Sequence, residues 1–411
     1  MIPRERYLKK IEAGFRYNPV VILSGARQVG KTTLMEMFMK NRKGLWLNGQ
    51  NPDEAGLFEK FAIIERYLKL NINEAIDGWL MIDEFQYING ISVSLKLLTD
   101  KYKSLKVLCS GSSSLGILQE VEESLAGRMR MIPVYPLSFS EYLLFVNPEL
   151  AQTYVQCGPA DDINTLFPQA RVLLNEYLTY GGLPKVALAD SIEEKEELLN
   201  DIFQTYLLKD VRQFVRNQDF VAFNKLLRIL SAQTGNLLNI NELSSLVQLP
   251  YKACEEYVHL LRQMFIIHLV PPFSQNKRKE ISKMPKVYFC DHGLRNMVYN
   301  SFNDMEVRTD SGAIFENYVF LELLQHFKSE QLFFYRTKDG TEIDFIISDR
   351  NRGLIPVEAK FKKLKNPLKV RALTEFGKNH PFQLAIIVNR SLIARTDNQH
   401  FIQPWLGQGL P

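Results

Sequence analysis

Short apolar runs separated by stretches of helical periodicity organise the first third of the chain. Runs at 19–24, 44–48, 79–83, 106–110 and 131–134 have the length and aliphatic content of buried strands. Strands alternating with helices predict a parallel α/β sheet. From about 166 to 217 the spacing becomes helical. Residues 175–178 and 193–214, on either side of the turn Gly181-Gly182-Leu183-Pro184, predict a small helical bundle. Between 220 and 291 the rhythm changes again. A short helix at 241–247, a turn at Leu249-Pro250, a longer helix at 251–263, a strand at 265–270, a basic stretch at 274–283 and a strand at 286–291 follow in order. Helix–turn–helix followed by a hairpin is the winged-helix pattern. The last hundred residues return to α/β, with a helix at 314–327, a hairpin turning at Asp339-Gly340 and strands at 341–348, 354–360 and 383–388. The expected domains are therefore 1–160, 161–219, 220–300 and 301–411.

Composition adds limits. A chain of 411 residues is too long for one core, which agrees with several domains. A net charge of +4 permits a nucleic-acid partner without demanding one. Cys109, Cys157, Cys254 and Cys290 form no CxxC pair, and the six histidines show no ligand spacing, so neither a disulfide framework nor a zinc site is expected. The N-terminus is charged at once and lacks an apolar signal region. No apolar run reaches the roughly 18–20 residues of a membrane span. The expectation is a cytoplasmic protein with no membrane partner.

The segment Gly25-Ala26-Arg27-Gln28-Val29-Gly30-Lys31-Thr32 fits G-x-x-x-x-G-K-[ST] in full, between an apolar strand and a helix that continues through Thr33. Glycines let backbone N–H groups turn inward around a phosphate, and the helix N-terminus adds partial positive charge. Lys31 would meet the β/γ-phosphates of ATP, and the Thr32 hydroxyl is a hard ligand for Mg²⁺. Trp79-Leu80-Met81-Ile82-Asp83-Glu84 supplies a strand ending in two carboxylates. Asp83 would hold the Mg²⁺ and Glu84 would polarise the attacking water. A third strand ends in Ser110-Gly111-Ser112. In a sheet of this type it lies between the other two, so Ser110 or Ser112 either orients the water or forms an ordinary turn. Arg128 stands just before a strand, either as a finger to a neighbouring subunit's nucleotide or as a cation complementing a helix terminus.

Residues 1–215 resemble the AAA+ ATPases of the bacterial and archaeal group whose loop reads G-A-R-Q-V-G-K-T-T. Asp83-Glu84-Phe85-Gln86, Ser110-Gly111-Ser112-Ser113, Gly127-Arg128, Pro136-Leu137-Ser138-Phe139-Ser140-Glu141-Tyr142 and Tyr180-Gly181-Gly182-Leu183-Pro184 carry the likeness. It extends along the whole chain. It implies a P-loop parallel sheet with a helical lid, a winged helix and a nuclease-like C-terminal domain. It also implies assembly into a homo-oligomer, and an adenine pocket lined by Gly182 and Pro184. Read alone, Gly-Gly-Leu-Pro is a turn between helices.

The C-terminal region holds a second set of candidates. Residues two apart on a strand share a face, so Glu342 projects with Asp344 and Glu358 with Lys360. Carboxylates plus a lysine on adjacent strands can bind Mg²⁺ and activate water against a phosphodiester. Glu316, Asp344, Glu358 and Lys360 resemble the helix-Glu, strand-Asp and E-x-K positions of the PD-(D/E)xK nucleases, a restriction-endonuclease-like α/β fold. Glu316, Asp344 and Glu358 would be the metal ligands there. Taken singly, such charges are also common on exposed strand faces.

Lys277, Arg278 and Lys279, with Lys283 and Lys286, are expected in the wing, where basic residues commonly contact the DNA backbone. Lys360, Lys362, Lys363, Lys365 and Lys369 form a second basic run. Against a DNA reader, the helix at 251–263 carries Glu255 and Glu256 with only Lys252 and Arg262 as cations. Two functions follow. One is a Mg²⁺-dependent ATPase that acts on DNA through a winged helix and a nuclease-like domain. The other is a nucleotide-dependent switch or assembly protein whose C-terminal domain binds without cutting.

Overall fold

The computed structural model describes residues 2–111, 123–157, 161–205, 211–212, 214–274 and 283–405. The chain separates into two units, residues 1–135 with 263–265, and residues 136–262 with 266–411.

The first unit is built on five parallel strands, β1 (Val20–Ser24), β2 (Gly44–Asn48), β3 (Trp79–Asp83), β4 (Lys106–Gly111) and β5 (Met129–Pro133), in the order β2-β3-β4-β1-β5. All five residues of β1 are buried, because helices cover both faces of a parallel sheet. That is why β1 reads as an unbroken apolar run. The helices are α1 (Glu5–Phe15), α2 (Lys31–Met39), α3 (Pro52–Gly56), α4 (Phe61–Asn71) and α5 (Ile91–Lys101). Ile64 and Leu68 of α4 and Leu95 and Leu98 of α5 meet Ile22, Leu80, Ile82 and Val107 of the sheet in one apolar core. As expected from the sequence, β4 lies between β1 and β3. The fifth strand begins two residues earlier than its apolar run, because Val20 pairs with Met129 in register.

The second unit opens with a helix, Phe139–Val146. Ser138 caps it by accepting from the Glu141 N–H, while the Glu141 carboxylate accepts from the Ser138 N–H. Helices Pro168–Tyr180 and Ile192–Ile202 follow. Then come helices Phe220–Ala232, Ile240–Val247 and Tyr251–Gln263 and an antiparallel pair, β6 (Ile267–Val270) and β7 (Lys286–Phe289). Gln248 takes a left-handed conformation and ends the helix Ile240–Val247. Phe265 is also left-handed, so extended structure starts only at Ile267. The final sheet contains β8 (Leu332–Arg336), β9 (Glu342–Asp349), β10 (Gly353–Lys360), β11 (Ala385–Asn389), β12 (Ala394–Arg395) and β13 (Gln399–Ile402) in the order β12-β13-β11-β10-β9-β8. The helix Ser311–His326 is buried on nearly every side from Ile314 to Gln325 and packs against β10. Its apolar residues do not form a single stripe, as expected of a helix enclosed all round. No helix among the described residues is long and apolar enough to cross a membrane.

Candidate functional site

The loop after β1 is shaped by residues that have no alternative there. A Cβ on Gly25 would stand 2.3 Å from the Val134 carbonyl oxygen. Gln28 and Gly30 both take left-handed backbone conformations, which turns the chain back so that α2 begins at Lys31 with its N-terminus facing the loop. Val29 and Ala26 are buried, so their side chains anchor the loop from within the fold. The Arg4 guanidinium, itself buried, donates to the Val29 carbonyl at 3.1 Å and ties the N-terminal segment to the loop. Lys31 donates to the carbonyls of Gly25 (3.0 Å) and Ala26 (2.7 Å). Burial lowers its pKa to about 8, against the opposing pull of Glu84 and Asp83. Arg27 reaches the Tyr87 hydroxyl at 3.0 Å.

Asp83 joins the loop to the sheet. Its Oδ2 accepts from the Thr32 hydroxyl at 2.9 Å and its Oδ1 from the Ser110 hydroxyl. Ser110 is fully buried, with its hydroxyl turned to Asp83 and accepting from the Glu84 N–H at 3.4 Å. Ser112 lies outside the described residues, as do Lys277, Arg278 and Lys279. Glu84 follows in a left-handed conformation (φ 50°, ψ 45°), costly for a non-glycine residue. The Gln86 side-chain amide donates to its Oε2. Gly49 makes room for this turn, since a Cβ there would lie 2.4 Å from the Glu84 carbonyl oxygen. Gln86 was part of a recognised motif, but its role as the holder of Glu84 appears only in three dimensions. The hydroxyl of Thr32 beside the carboxylate of Asp83, with Glu84 next in the chain, is a hard-oxygen donor set suited to Mg²⁺.

Arg128 is not at this end of the sheet. Its carbonyl accepts from the Val20 N–H at 3.2 Å, at the start of β1. The phosphate loop leaves the other end of the same strand, roughly 13 Å away at the usual rise per residue. There Arg128 forms a bidentate pair with Asp100, at 2.8 and 3.3 Å.

In the second unit, Gly182 is fixed by packing. Its N–H donates to Asp291 Oδ2 at 2.8 Å and its carbonyl accepts from the Leu137 N–H at 2.7 Å. A Cβ would lie 2.4 Å from the Leu137 carbonyl oxygen. Pro184 opens the short helix Pro184–Ala187. Asp291, which the sequence reading left without a role, also caps the helix His292–Tyr299 through the Leu294 N–H. Burial raises its pKa to about 6, while its N–H partners pull the other way. An aspartate directly before a helical His-Gly-Leu is an N-cap signature that was open to reading.

The C-terminal candidates come together. Phe345 pairs with Val357 across β9 and β10, which sets Asp344 beside the Glu358–Lys360 end of β10. Asp344 Oδ2 accepts from the Ala359 N–H at 2.8 Å and lies 3.8 Å from Lys360 Nζ. Lys360 also donates to Glu358 Oε2. Glu358 is 2% exposed, and its Oε1 has no hydrogen-bond partner. Burial and then the Asp344 charge push both Glu316 and Glu358 above the usual carboxylate range. Among the described residues, no three His, Cys, Asp or Glu side chains converge into a ready-made metal site. An orphaned buried carboxylate oxygen next to Asp344 nonetheless suits a divalent cation with oxygen preference.

Lys286 corrects an expectation. It is not an exposed wing residue but is 1% exposed on β7, with Nζ 2.9 Å from Glu316 and 2.5 Å from Glu342. Burial alone would lower its pKa. The carboxylates of Glu316, Asp344 and Glu342 outweigh burial and raise it, so the ammonium stays charged. Tyr288, also on β7, donates its hydroxyl to Glu316 at 2.6 Å. The sequence did hold a signal, a lone lysine opening the otherwise apolar strand Lys286-Val287-Tyr288-Phe289. Lys283, Lys362, Lys363, Lys365 and Lys369 are exposed.

Residues 17–143 match the AAA domain family, and residues 171–305 and 311–405 match two domains of unknown function, DUF8612 and DUF4143. An uncharacterized protein of Methanocaldococcus jannaschii is 26% identical over 374 residues, covering 89% of this chain and 80% of its own. An uncharacterized protein of Mycobacterium tuberculosis is 23% identical over 376 residues, covering 91% and 77%. Among solved structures, a Walker-type ATPase of Pyrococcus abyssi shares the fold with a TM-score of 0.50 at 15% identity, over 72% of this chain and 96% of its own. Strand order, glycine loop and domain match agree: this chain carries a P-loop ATPase domain of the AAA type.

Proposed function

We propose that the chain binds ATP with Mg²⁺ at Gly25–Thr32 and hydrolyses it with Glu84 as the base. The observation that carries this reading is the junction at Asp83, where Thr32 and Ser110 grip one carboxylate and Gln86 holds the next, Glu84. The loop N–H groups and Lys31 bind and orient the phosphates. Bound Mg²⁺, held by Thr32 and Asp83, would neutralise charge on the β- and γ-oxygens. Water adds to the γ-phosphorus, the bond to the β-bridging oxygen breaks, and Glu84 takes the proton of the water, leaving ADP and phosphate. The test is a pair of variants. Lys31→Ala should lose nucleotide binding, whereas Glu84→Gln should bind ATP normally and lose about 100-fold or more in turnover. Equal turnover in Glu84→Gln would remove Glu84 from its role.

For the second unit we propose a winged helix over the helices and hairpin of 220–289, and a PD-(D/E)xK-like centre in which Glu316, Asp344 and Glu358 bind a divalent cation beside Lys360. The cation would supply charge stabilisation at a phosphodiester, with DNA as the substrate class and the exposed lysines at 362–369 as backbone contacts. Incubating the protein with plasmid and linear DNA, with Mg²⁺ or Mn²⁺ and with or without ATP, tests cleavage. A wild type that cuts no better than Asp344→Ala or Lys360→Ala rejects it. The switch reading draws on the exposed face of Tyr251–Gln263, where Glu255 and Glu256 stand with Lys252, a mixed surface better suited to a protein partner than to a phosphate backbone. In an oligomer, Arg128 would serve another subunit's nucleotide only after releasing Asp100.

A further inference from the structure

Lys286 belongs to the hairpin that precedes the C-terminal domain, yet its ammonium sits among that domain's carboxylates. Taking a lysine out of water costs several kcal/mol, which only well-placed counter-charges offset. Here Glu316 and Glu342 both lie within 2.9 Å of Nζ. Tyr288 adds its hydroxyl to Glu316 from the same strand, and the rim residue Arg336 reaches Glu342 at 3.1 Å. Glu316 and Glu342 are thus supplied with cation and donor by the protein itself. Asp344 and Glu358 do not touch Lys286. They share Lys360, Asp344 also accepts from the Ala359 N–H, and Glu358 keeps one buried oxygen with no partner. The four carboxylates therefore divide into a pair bridged by Lys286 and a pair on Lys360 that holds the orphaned oxygen.

We propose that Lys286 is a built-in cation of this centre, holding Glu316 and Glu342 as an ion-paired scaffold so that a single divalent cation is taken by Asp344 and Glu358. The inference rests on the reading of the centre as cation-binding and specifies which residues serve it. Lys286 is a positioning residue: it acts through Glu316 and Glu342. Glu316 moves from metal ligand to scaffold. The centre is then assembled from two stretches of sequence, and its charge balance depends on a residue outside the C-terminal domain.

The experiment uses the full chain, free of nucleotide and carrying Asp83→Asn to silence the first site, titrated with Mn²⁺ by electron paramagnetic resonance. One Mn²⁺ per chain is expected. Asp344→Asn and Glu358→Gln should each weaken it by about 10-fold or more, while Glu316→Gln should leave it within about threefold. Lys286→Met frees two carboxylates and should gain a second Mn²⁺, while Lys286→Arg should keep one. Glu316→Gln tests the division with the lysine intact, so the question stays open to refutation even if Lys286→Met fails to fold. Loss of Mn²⁺ in Glu316→Gln, or a folded Lys286→Met that binds no more than the parent, overturns the proposal. Binding that survives both Asp344→Asn and Glu358→Gln instead rejects the reading of the centre, and the proposal with it.

Discussion

At the residue scale, Lys31 carries a pH dependence. With its pKa lowered to about 8 by burial, it is charged below that pH and neutral above it. A bound phosphate favours the charged form, so binding above pH 8 must take up a proton. ATP affinity should be flat below pH 8 and fall by up to about tenfold per unit above it. Fluorescent-nucleotide titrations between pH 7 and 9.5 check this, and affinity that rises over that range contradicts it. Gln86 gives a second prediction. Because its amide holds Glu84, Gln86→Ala should lower kcat by about tenfold while leaving ATP binding intact. The types needed for phosphate chemistry were legible in sequence because their spacing is fixed by the loop. The holders were not, because hydrogen bonds such as Gln86 to Glu84 or Arg4 to Val29 depend on a turn no spacing specifies.

At the scale of elements, most strands and helices lie within a residue or two of where periodicity put them. The helix Tyr251–Gln263 matches its expected range in full. The misses have local causes, such as the left-handed Phe265 that delays β6. The helix expected at 175–178 spans Pro168–Tyr180, and the one expected at 193–214 is an α-helix over Ile192–Ile202. Lys286 is a miss of another kind: a lysine beside a basic stretch reads as surface, and only the opposing Glu316 and Glu342 make burial tolerable. A second ionic cluster, two arginines on one carboxylate, ties down the helix His292–Tyr299. Arg295 donates to Asp310 at 2.5 Å, and Arg308 meets the same carboxylate at 2.8 Å. Breaking it with Asp310→Ala should cost about 3 kcal/mol, read from urea unfolding. Burial alone would raise the Asp310 pKa, but hydrogen bonds and charge from Arg308 and Arg295 lower it from 3.8 to about 2. A carboxylate with a depressed native pKa contributes stability above its unfolded value. That contribution should be present above pH 4 and drain away as pH falls from 4 to 2, and Asp310→Ala should flatten this limb of the curve.

At the scale of the whole chain, the contacts made by β7 bear on where the C-terminal domain begins. Asn317 of the helix Ser311–His326 donates to the Phe289 carbonyl at 3.0 Å and accepts from the Phe289 N–H at 2.8 Å. Tyr288 stacks on Phe320 with ring centroids 4.7 Å apart. A fragment of residues 301–411 lacks all of these partners and should melt without cooperativity, whereas the fragment 136–411 should give a single sharp transition by circular dichroism. A cooperative melt of 301–411 would refute this. A domain boundary expected at 300/301 in the sequence does not require a seam in packing there. The placement of β7 also bears on inheritance. A gene fusion or recombination event that breaks near codon 300 would carry off the sheet with Asp344 and Glu358 and leave Lys286 behind. The transplanted domain would then carry Glu316 without its cation and Glu342 with Arg336 alone. Breakpoints upstream of the hairpin keep lysine and carboxylates together, so the unit that can move between proteins is longer than the sheet it contains.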